Sequence, residues 1–451
     1  MVDALVGLYA LVVLVGGSST LVGVLVGRWL RARWDRRHPE RAAARRRARH
    51  QRRIAADWPL LTQTLGLGYR DQWTRQHAYP PARFVVDHQG VSATVAAVPG
   101  AGLADYQRAA GYLADTWGCV AIRAEQVAPG LVELRGRYRD PLLAPARAEL
   151  SGRPPASLTS WWLGWGEDGR PVTVRLAEVS GTVVAGLAGF GKTMLVAHLV
   201  GQLAPTPAVQ FVLVDGKGGP DYHHLRPRAW LSAKDDLNDV REVLRRVHRL
   251  MADRQAAIAS VLGVTDAWHL GPSRSWPLVV VVIDEAHSFF HERKGTAAEV
   301  KAHNALVAET SRLVEELVRK GRNVAVQVML LTQRATGDAI PTRIRDNCQV
   351  AISFATRTLD GAVAALGEEI RQHPDASPVL LNDPSYVGVA VTSLPGRPGF
   401  HRVRTPQLDH AQVAAVIRQT AGLRADPAAL LAEQAPDLRV VTEGPAPGEV
   451  A

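Results

Sequence analysis

The chain has 451 residues, 47% apolar and 21% charged, which is long enough for two or three packed domains and too apolar for a disordered or fibrous protein. Its two cysteines, Cys119 and Cys348, stand far apart and outside any C-x-x-C pattern, excluding a disulfide framework or a cysteine zinc site and favouring a reducing compartment. The formal net charge of +10 is concentrated in one block, where twelve arginines between Arg28 and Arg53 face only Asp35 and Glu40; the remaining residues balance, so composition by itself does not describe a surface that coats nucleic acid.

In chain order, Ala4 to Leu30 carries no charge before Arg28 and exceeds the roughly 20 apolar residues that a membrane-spanning helix needs. The leading MVDA lacks a positive charge and no A-x-A site precedes the arginines, so residues 1–30 read as a retained transmembrane anchor rather than a cleaved signal peptide. The arginines that follow define a basic juxtamembrane segment at 31–60. By the positive-inside rule they put the amino terminus outside and the rest of the chain in the cytoplasm, at the inner face of the cell membrane. Such a run also suits anionic lipid headgroups and, secondarily, DNA phosphates.

Residues 75–145 read as a small α/β domain: FVV and VSATVAAV are β-branched runs, Ala104 to Trp117 has helical spacing, and CVAI and LVELRG are further strands. The adjacent Pro154 and Pro155 mark a linker at 146–160. From 161 to 405, VTVRL, TVVAG, VQFVLVD, LVVVVID, VAVQVMLLT and QVAISF alternate with helical segments, two of them long (Asp236 to Leu262 and Ala297 to Lys320). Val-rich runs without alternation suggest strands buried on both faces, hence an α/β fold with a parallel sheet flanked by helices. Residues 406–451 hold one amphipathic helix, His410 to Thr420, and a Pro/Glu/Ala tail expected to be disordered.

The chemistry is carried by three strand ends. Gly186, Leu187, Ala188, Gly189, Phe190, Gly191, Lys192 and Thr193 fit G-x-x-x-x-G-K-[ST] and stand between a strand and a helical segment, as this ATP-binding loop must. Glycines let the backbone N–H groups turn toward phosphate, Lys192 reaches the β and γ phosphates, and the Thr193 hydroxyl is a ligand for Mg²⁺. The apolar run LVVVVID delivers Asp284, which is expected to hold the Mg²⁺ through water, and next to it Glu285, expected to polarise the attacking water. Gln333 in LLTQR ends a further strand, where a polar side chain can read the γ-phosphate or be part of an ordinary turn. The loop DGKGGPDYHH is polar and glycine-rich at the same sheet edge; its neighbours His223 and His224 point apart and are not expected to form a zinc site.

Together these residues resemble the FtsK/SpoIIIE family of DNA-pumping motors, and more closely the FtsK-like transfer proteins of actinobacterial conjugative plasmids and integrative elements. The resemblance runs from about residue 84 to 405 and is carried by LGWGEDGRPVTVRL, VVAGLAGFGKT, DGKGGPDY, VVVVIDEAH and, most diagnostically, LVEELVRKGRNVAVQVMLLTQRATGDAIPTRIRDN. It implies a P-loop NTPase with a RecA-like sheet at 161–405, and a membrane-tethered ATPase ring, a homo-hexamer, that threads double-stranded DNA in conjugative transfer alongside other transfer proteins. It carries Gly186, Gly189, Gly191, Lys192 and Thr193 over as the nucleotide loop, Asp284 and Glu285 as the Walker B pair and Gln333 as sensor. It also implies an arginine from a neighbouring subunit at the γ-phosphate, for which Arg334, Arg345 and Arg357 are candidates. The chain departs from the cell-division members in having one span and little room after Leu408 for a winged-helix reader of DNA, which argues against oriented chromosome segregation. Two other functions compete: a protein-secretion ATPase of the same superfamily, disfavoured by the single Walker A loop, and a nucleotide-binding membrane scaffold without turnover, disfavoured by the intact Lys192, Asp284 and Glu285.

Overall fold

The computed structural model describes residue 34 and residues 36–435, apart from 72, 335, 337, 338 and 395. The expected anchor at 1–30 lies outside the described residues, as does the end of the tail from 436; among the described residues no helix is long and apolar enough to cross a membrane. The chain divides into two units, within 1–140 and 141–451.

In the first unit the arginine-rich stretch folds as a helix, Pro39–Thr64. Proline at its first turn has its φ preset and no N–H to satisfy. Ile54, Trp58 and Thr62, spaced four apart, fall on one buried face. The Trp58 indole donates to the Pro80 carbonyl at 2.9 Å, and its ring meets Phe84 edge-on at 5.5 Å; Phe84 in turn meets Trp117 at 5.8 Å. From Pro39 onward the segment expected to be purely juxtamembrane is therefore a packed part of the small domain, while Arg41, Arg45, Arg46, Arg49, Arg52 and Arg53 face solvent. A short hairpin of β1 (Tyr69–Arg70) and β2 (His77–Ala78) follows. Strands β3 (Ala82–Val86), β4 (Gly90–Ala96), β5 (Ala121–Ala128) and β6 (Leu131–Arg137) then form an antiparallel sheet in the order β3-β4-β6-β5. Helix Leu103–Trp117 packs in the same core through Tyr106, Leu113 and Trp117 and stops at Gly118, whose left-handed φ of 68° a glycine adopts without strain.

The second unit is built on a ten-stranded sheet. Its strands are β7 (Ser160–Gly166), β8 (Pro171–Arg175), β9 (Gly181–Ala185), β10 (Val209–Asp215), β11 (Ala229–Ala233), β12 (Leu278–Asp284), β13 (Val326–Thr332), β14 (Val350–Ser353), β15 (Val389–Leu394) and β16 (Arg397–Arg404). The order is β11-β10-β12-β13-β9-β14-β15-β16-β7-β8, parallel from β11 to β14 and antiparallel from β14 onward. Strands β10, β12 and β13 are buried along their whole lengths, as their largely apolar, Val-rich composition requires. The sheet is thus mixed rather than wholly parallel. VTVRL, expected in the parallel series, is instead the edge strand β8 of a hairpin, and its alternating exposed and buried residues show one solvated face. Two long helices, Leu237–Leu262 and Ala298–Lys320, separate the later strands; Asp236 caps the first by accepting from Asn238 and Asp239 N–H at 2.8 and 3.0 Å.

Two stretches expected to be loose are packed. Within 146–160, Leu150 lies against Gly201 of helix Lys192–Leu203, where an added Cβ would come within 2.5 Å of a Leu150 methyl, and the Ala148 N–H bonds to the Gln407 carbonyl. After helix His410–Thr420, the tail continues as a second helix, Pro427–Gln434, that buries Pro427 and Leu431. The buried Gln210 side chain ties this segment down by donating to Leu423 O at 3.0 Å and accepting from Ala425 N–H at 3.1 Å.

Trp58→Ala is expected to destabilise the first unit by about 3–5 kcal/mol, because a large aromatic leaves a cavity and an unpaired carbonyl behind. Urea unfolding followed by circular dichroism should show this loss, whereas Trp73→Ala, at a residue 92% exposed, should shift stability by no more than about 0.5 kcal/mol.

Candidate nucleotide site

Strand β9 is buried throughout and ends at Ala185, and the chain then turns through Gly186–Gly191 into helix Lys192–Leu203. The turn needs its glycines: φ is 145° at Gly186, 80° at Gly189 and 114° at Gly191. At Gly186 an added Cβ would meet the Phe354 Cβ at 2.6 Å, so space as well as conformation demands glycine there. The loop is held from outside by Leu187 N–H donating to Ala355 O at 2.9 Å and by Gly388 N–H donating to Phe190 O at 3.1 Å. Beneath it the amino terminus of the helix presents unpaired N–H groups and the positive end of its dipole.

Lys192 is 5% exposed, and its ammonium donates to the carbonyls of Gly186 and Leu187 at 2.6 and 2.8 Å. Burial pulls its pKa down to about 8, against the opposing pull of Asp284 and Glu285, with Lys217 acting in the same sense as burial.

Asp284 closes β12 and is 1% exposed. Its Oδ1 accepts from the Glu285 N–H at 2.9 Å, while its Oδ2 has no hydrogen bond and faces the Lys217 ammonium at 3.9 Å. Burial raises its pKa despite Lys217, the Glu285 N–H, Tyr222 and Lys192. Glu285 adopts a left-handed backbone, φ 52°, at a cost of about 1 kcal/mol for a residue with a Cβ. The turn is braced by the Ser288 hydroxyl donating to Glu285 O at 2.7 Å. The Glu285 carboxyl is raised by burial and then by the charge of Asp284, and lowered by Lys217, Lys192 and the Gln333 N–H.

Gln333 follows β13, which lies between β9 and β12, so its backbone comes beside Glu285 while its side chain is partly exposed. Lys192, Asp284, Glu285 and Gln333 are thus brought together from three strand ends. The three candidate arginines differ: Arg345 donates to Ala364 O at 3.3 Å and lies 3.5 Å from Asp346, while Arg334 and Arg357 are exposed.

Three residues of the DGKGGPDYHH loop, to which the sequence assigned no individual roles, belong to the same place. Asp215 pairs in register with Asp284 across the parallel strands β10 and β12 and is 2% exposed. Its Oδ1 accepts from the Lys217 N–H at 3.1 Å and its Oδ2 is unpartnered. Tyr222, 3% exposed, sets its hydroxyl beside Asp284 and Thr193 without a direct hydrogen bond; burial, with Asp284 second, raises its pKa well above the ordinary value. Lys217 is the third. The signal was available: VQFVLVD and LVVVVID are two buried strands with the same Asp at the same end.

These donors fit a hydrated Mg²⁺, which keeps most of its waters and takes one or two carboxylates, a hydroxyl and substrate phosphates. Thr193 and Asp284 are the residues that would hold it, since the buried Asp284 Oδ2 has no other partner than the distant Lys217 ammonium.

No family model matches the chain. Among solved structures it is similar to the pCW3 conjugation coupling protein TcpA in a monomer form with ATPγS, with 14% identity and a TM-score of 0.53, covering 81% of this chain and 98% of that one. The cytoplasmic domain of the Thermomonospora curvata type VII secretion ATPase EccC matches with 20% identity and a TM-score of 0.45, over 60% of this chain and 32% of that one. A sporulation regulatory protein of Streptomyces azureus is 28% identical over 246 residues, 52% of this chain and 75% of its own length. In motif set the chain resembles FtsK-like P-loop ATPases, and in fold it is similar to that conjugation coupling protein.

The Lys192 ammonium gives a signed pH effect. The unfolded chain keeps this proton up to about 10.5 and the folded chain only to about 8, so burial of the charge costs stability in full below pH 8 and nothing above 10.5. Lys192→Met should therefore be more stable than the parent by a margin that narrows between pH 7.5 and pH 9.5, measured by urea unfolding without nucleotide.

Proposed function

We propose that the chain is a membrane-anchored motor that hydrolyses ATP with Mg²⁺ to move double-stranded DNA in the transfer of a mobile element. The observation that carries the catalytic part is the meeting of Lys192, Asp284 and Glu285 at one edge of the sheet, with the Gln333 strand between the two motifs.

In this reading Lys192 exchanges the carbonyls of Gly186 and Leu187 for the β and γ phosphates, which supply the negative charge its burial calls for. The N–H groups around Gly189 and Gly191 and the helix terminus cradle the same phosphates. Thr193 and Asp284 would hold a Mg²⁺ ion, which would supply charge neutralisation to the phosphates. Glu285, with its pKa moved toward neutrality, takes the proton of the attacking water as its oxygen bonds to the γ-phosphorus and the bond to the bridging oxygen breaks. Gln333, beside Glu285, senses the γ-phosphate. The exposed Arg334 and Arg357 suit an approach to a neighbouring subunit's nucleotide in a homo-hexamer, whereas Arg345 is tied within its own chain.

DNA as the cargo is supported by the FtsK/SpoIIIE resemblance and by the fold shared with a conjugation coupling protein. Anchoring at the inner face of the membrane is supported by the uncharged run before Arg28 and the arginines after it.

ATP turnover by the full-length chain in detergent, with and without long duplex DNA at two salt concentrations, tests the proposal. Duplex should stimulate hydrolysis, and less so at high salt. Lys192→Ala should lose turnover, and Glu285→Gln should keep nucleotide binding while hydrolysis falls by about 10²-fold or more. Turnover indifferent to duplex DNA would redirect the reading to protein secretion, and none at all to a nucleotide-binding scaffold.

A further inference from the structure

The loop after β10 contains a lysine that the chemistry above does not use. Gly216 lets it approach: its N–H donates to the Asp284 carbonyl at 3.2 Å, and an added Cβ would stand 2.6 Å from that same oxygen. The Lys217 N–H then bonds Asp215 Oδ1, and its ammonium reaches to 3.9 Å from Asp284 Oδ2. Behind it the three buried atoms Asp215 Oδ2, Asp284 Oδ2 and Tyr222 Oη lack hydrogen-bond partners among the described residues. Buried polar atoms seldom go unpaired, and two carboxylates held in register on adjacent strands repel each other unless a cation or water joins them. A single, partly exposed ammonium at one edge serves only one of the two.

We infer that Asp215 and Tyr222 are positioning residues for the divalent cation that accompanies the nucleotide, orienting its water shell behind Asp284, and that Lys217 covers Asp284 when cation and nucleotide are absent. The inference rests on the nucleotide-site reading above and extends it to the ion. The Tyr222 hydroxyl lies close to both Asp284 and Thr193. From there it donates to one carboxylate while accepting from a metal-bound water. Asp215 accepts from a second such water and so fixes its orientation. The Lys217 ammonium would yield its place near Asp284 to such a cation, and its loop, with two further glycines, Gly218 and Gly219, gives it room to move. Such outer groups commonly tune metal affinity by about 10- to 100-fold.

The test is a Mn²⁺ titration of the full-length chain followed by the electron paramagnetic resonance of the free ion, with ADP present and absent. ADP affinity in EDTA is measured alongside. With ADP, Asp215→Asn and Tyr222→Phe should each weaken Mn²⁺ binding by about tenfold or more while leaving ADP affinity in EDTA unchanged. Without ADP, Lys217→Met should bind Mn²⁺ more tightly than the parent, because the competing ammonium is gone. Thermal melting checks that each variant folds, and Tyr222→Phe, which removes a single hydroxyl, decides the question if Asp215→Asn does not fold. Folded variants that bind Mn²⁺ as the parent does overturn the positioning role, and an unchanged Lys217→Met overturns the cover. A parent chain that binds ADP in EDTA but takes up no Mn²⁺ overturns the inference alone. One that binds no nucleotide fails at the nucleotide-site reading and takes this inference with it.

Discussion

Parallel strands in register run out at the same edge, and whatever residues their sequences place last must share one small, dry space. Here Ala185, Asp215, Asp284 and Thr332 end β9, β10, β12 and β13, with Asp215 opposite Asp284 and Thr332 opposite Ala185. The core behind them is mostly Val, Leu, Ile, Phe and Met packed on both faces, and its buried Gln210 and Gln327 bond elsewhere, to Leu423, Ala425 and Leu176. Their partners come from the turns just beyond: the glycine loop after β9, the Gly216–Lys217 turn after β10 and the left-handed Glu285 after β12. The site follows from that edge more than from any one residue.

Charge makes the edge chemically poised. Asp215, Asp284 and Glu285 stand near Lys192 and Lys217, and burial pushes the two residues of the acidic pair up and the P-loop lysine down, each toward its neutral form. A pocket in that condition gains from polyphosphate and a cation arriving together, because the phosphates answer Lys192 and the cation answers the carboxylates. Lys192 turns back onto its own loop carbonyls, and Lys217 leans toward Asp284 without reaching hydrogen-bond distance.

Much of this could be read from the sequence because the informative residues are local. Gly186 to Thr193 fit one spacing, and LVVVVID announces both a buried strand and an acid at its end. What stayed hidden depended on neighbours far away in the chain. That Asp215 belongs with Asp284 follows from β10 lying next to β12, a pairing that neither segment encodes alone. VTVRL has the same β-branched character as the parallel strands and gives no sign that it will pair with SWWLGWG at the far edge. The arginine block hid Ile54 and Trp58, because a dense charge pattern masked a buried stripe only a few residues long. The proline pair at 154 and 155 signalled a linker, but Leu150 had a small-residue surface at Gly201 to pack upon.

The antiparallel half of the sheet has its own bearing on the nucleotide loop. Gly388 holds the loop through Phe190, and the Thr405 N–H bonds back to the Gly388 carbonyl at 2.8 Å. Next to it the buried Arg404 donates to the carbonyls of Leu142, Ser385 and Val387, fastening the turn that carries Gly388. A guanidinium that donates to these main-chain carbonyls fixes a backbone position. Here that position is the one against which the loop closes: Gly191 stands where an added Cβ would lie 3.3 Å from the Gly388 Cα. The loop is therefore gripped from two sides, by Phe354 at the end of β14 and by Gly388 at the start of β15. Because a close-packed contact resists small displacements, these contacts from the residues after β14 and before β15 hold the loop backbone in place.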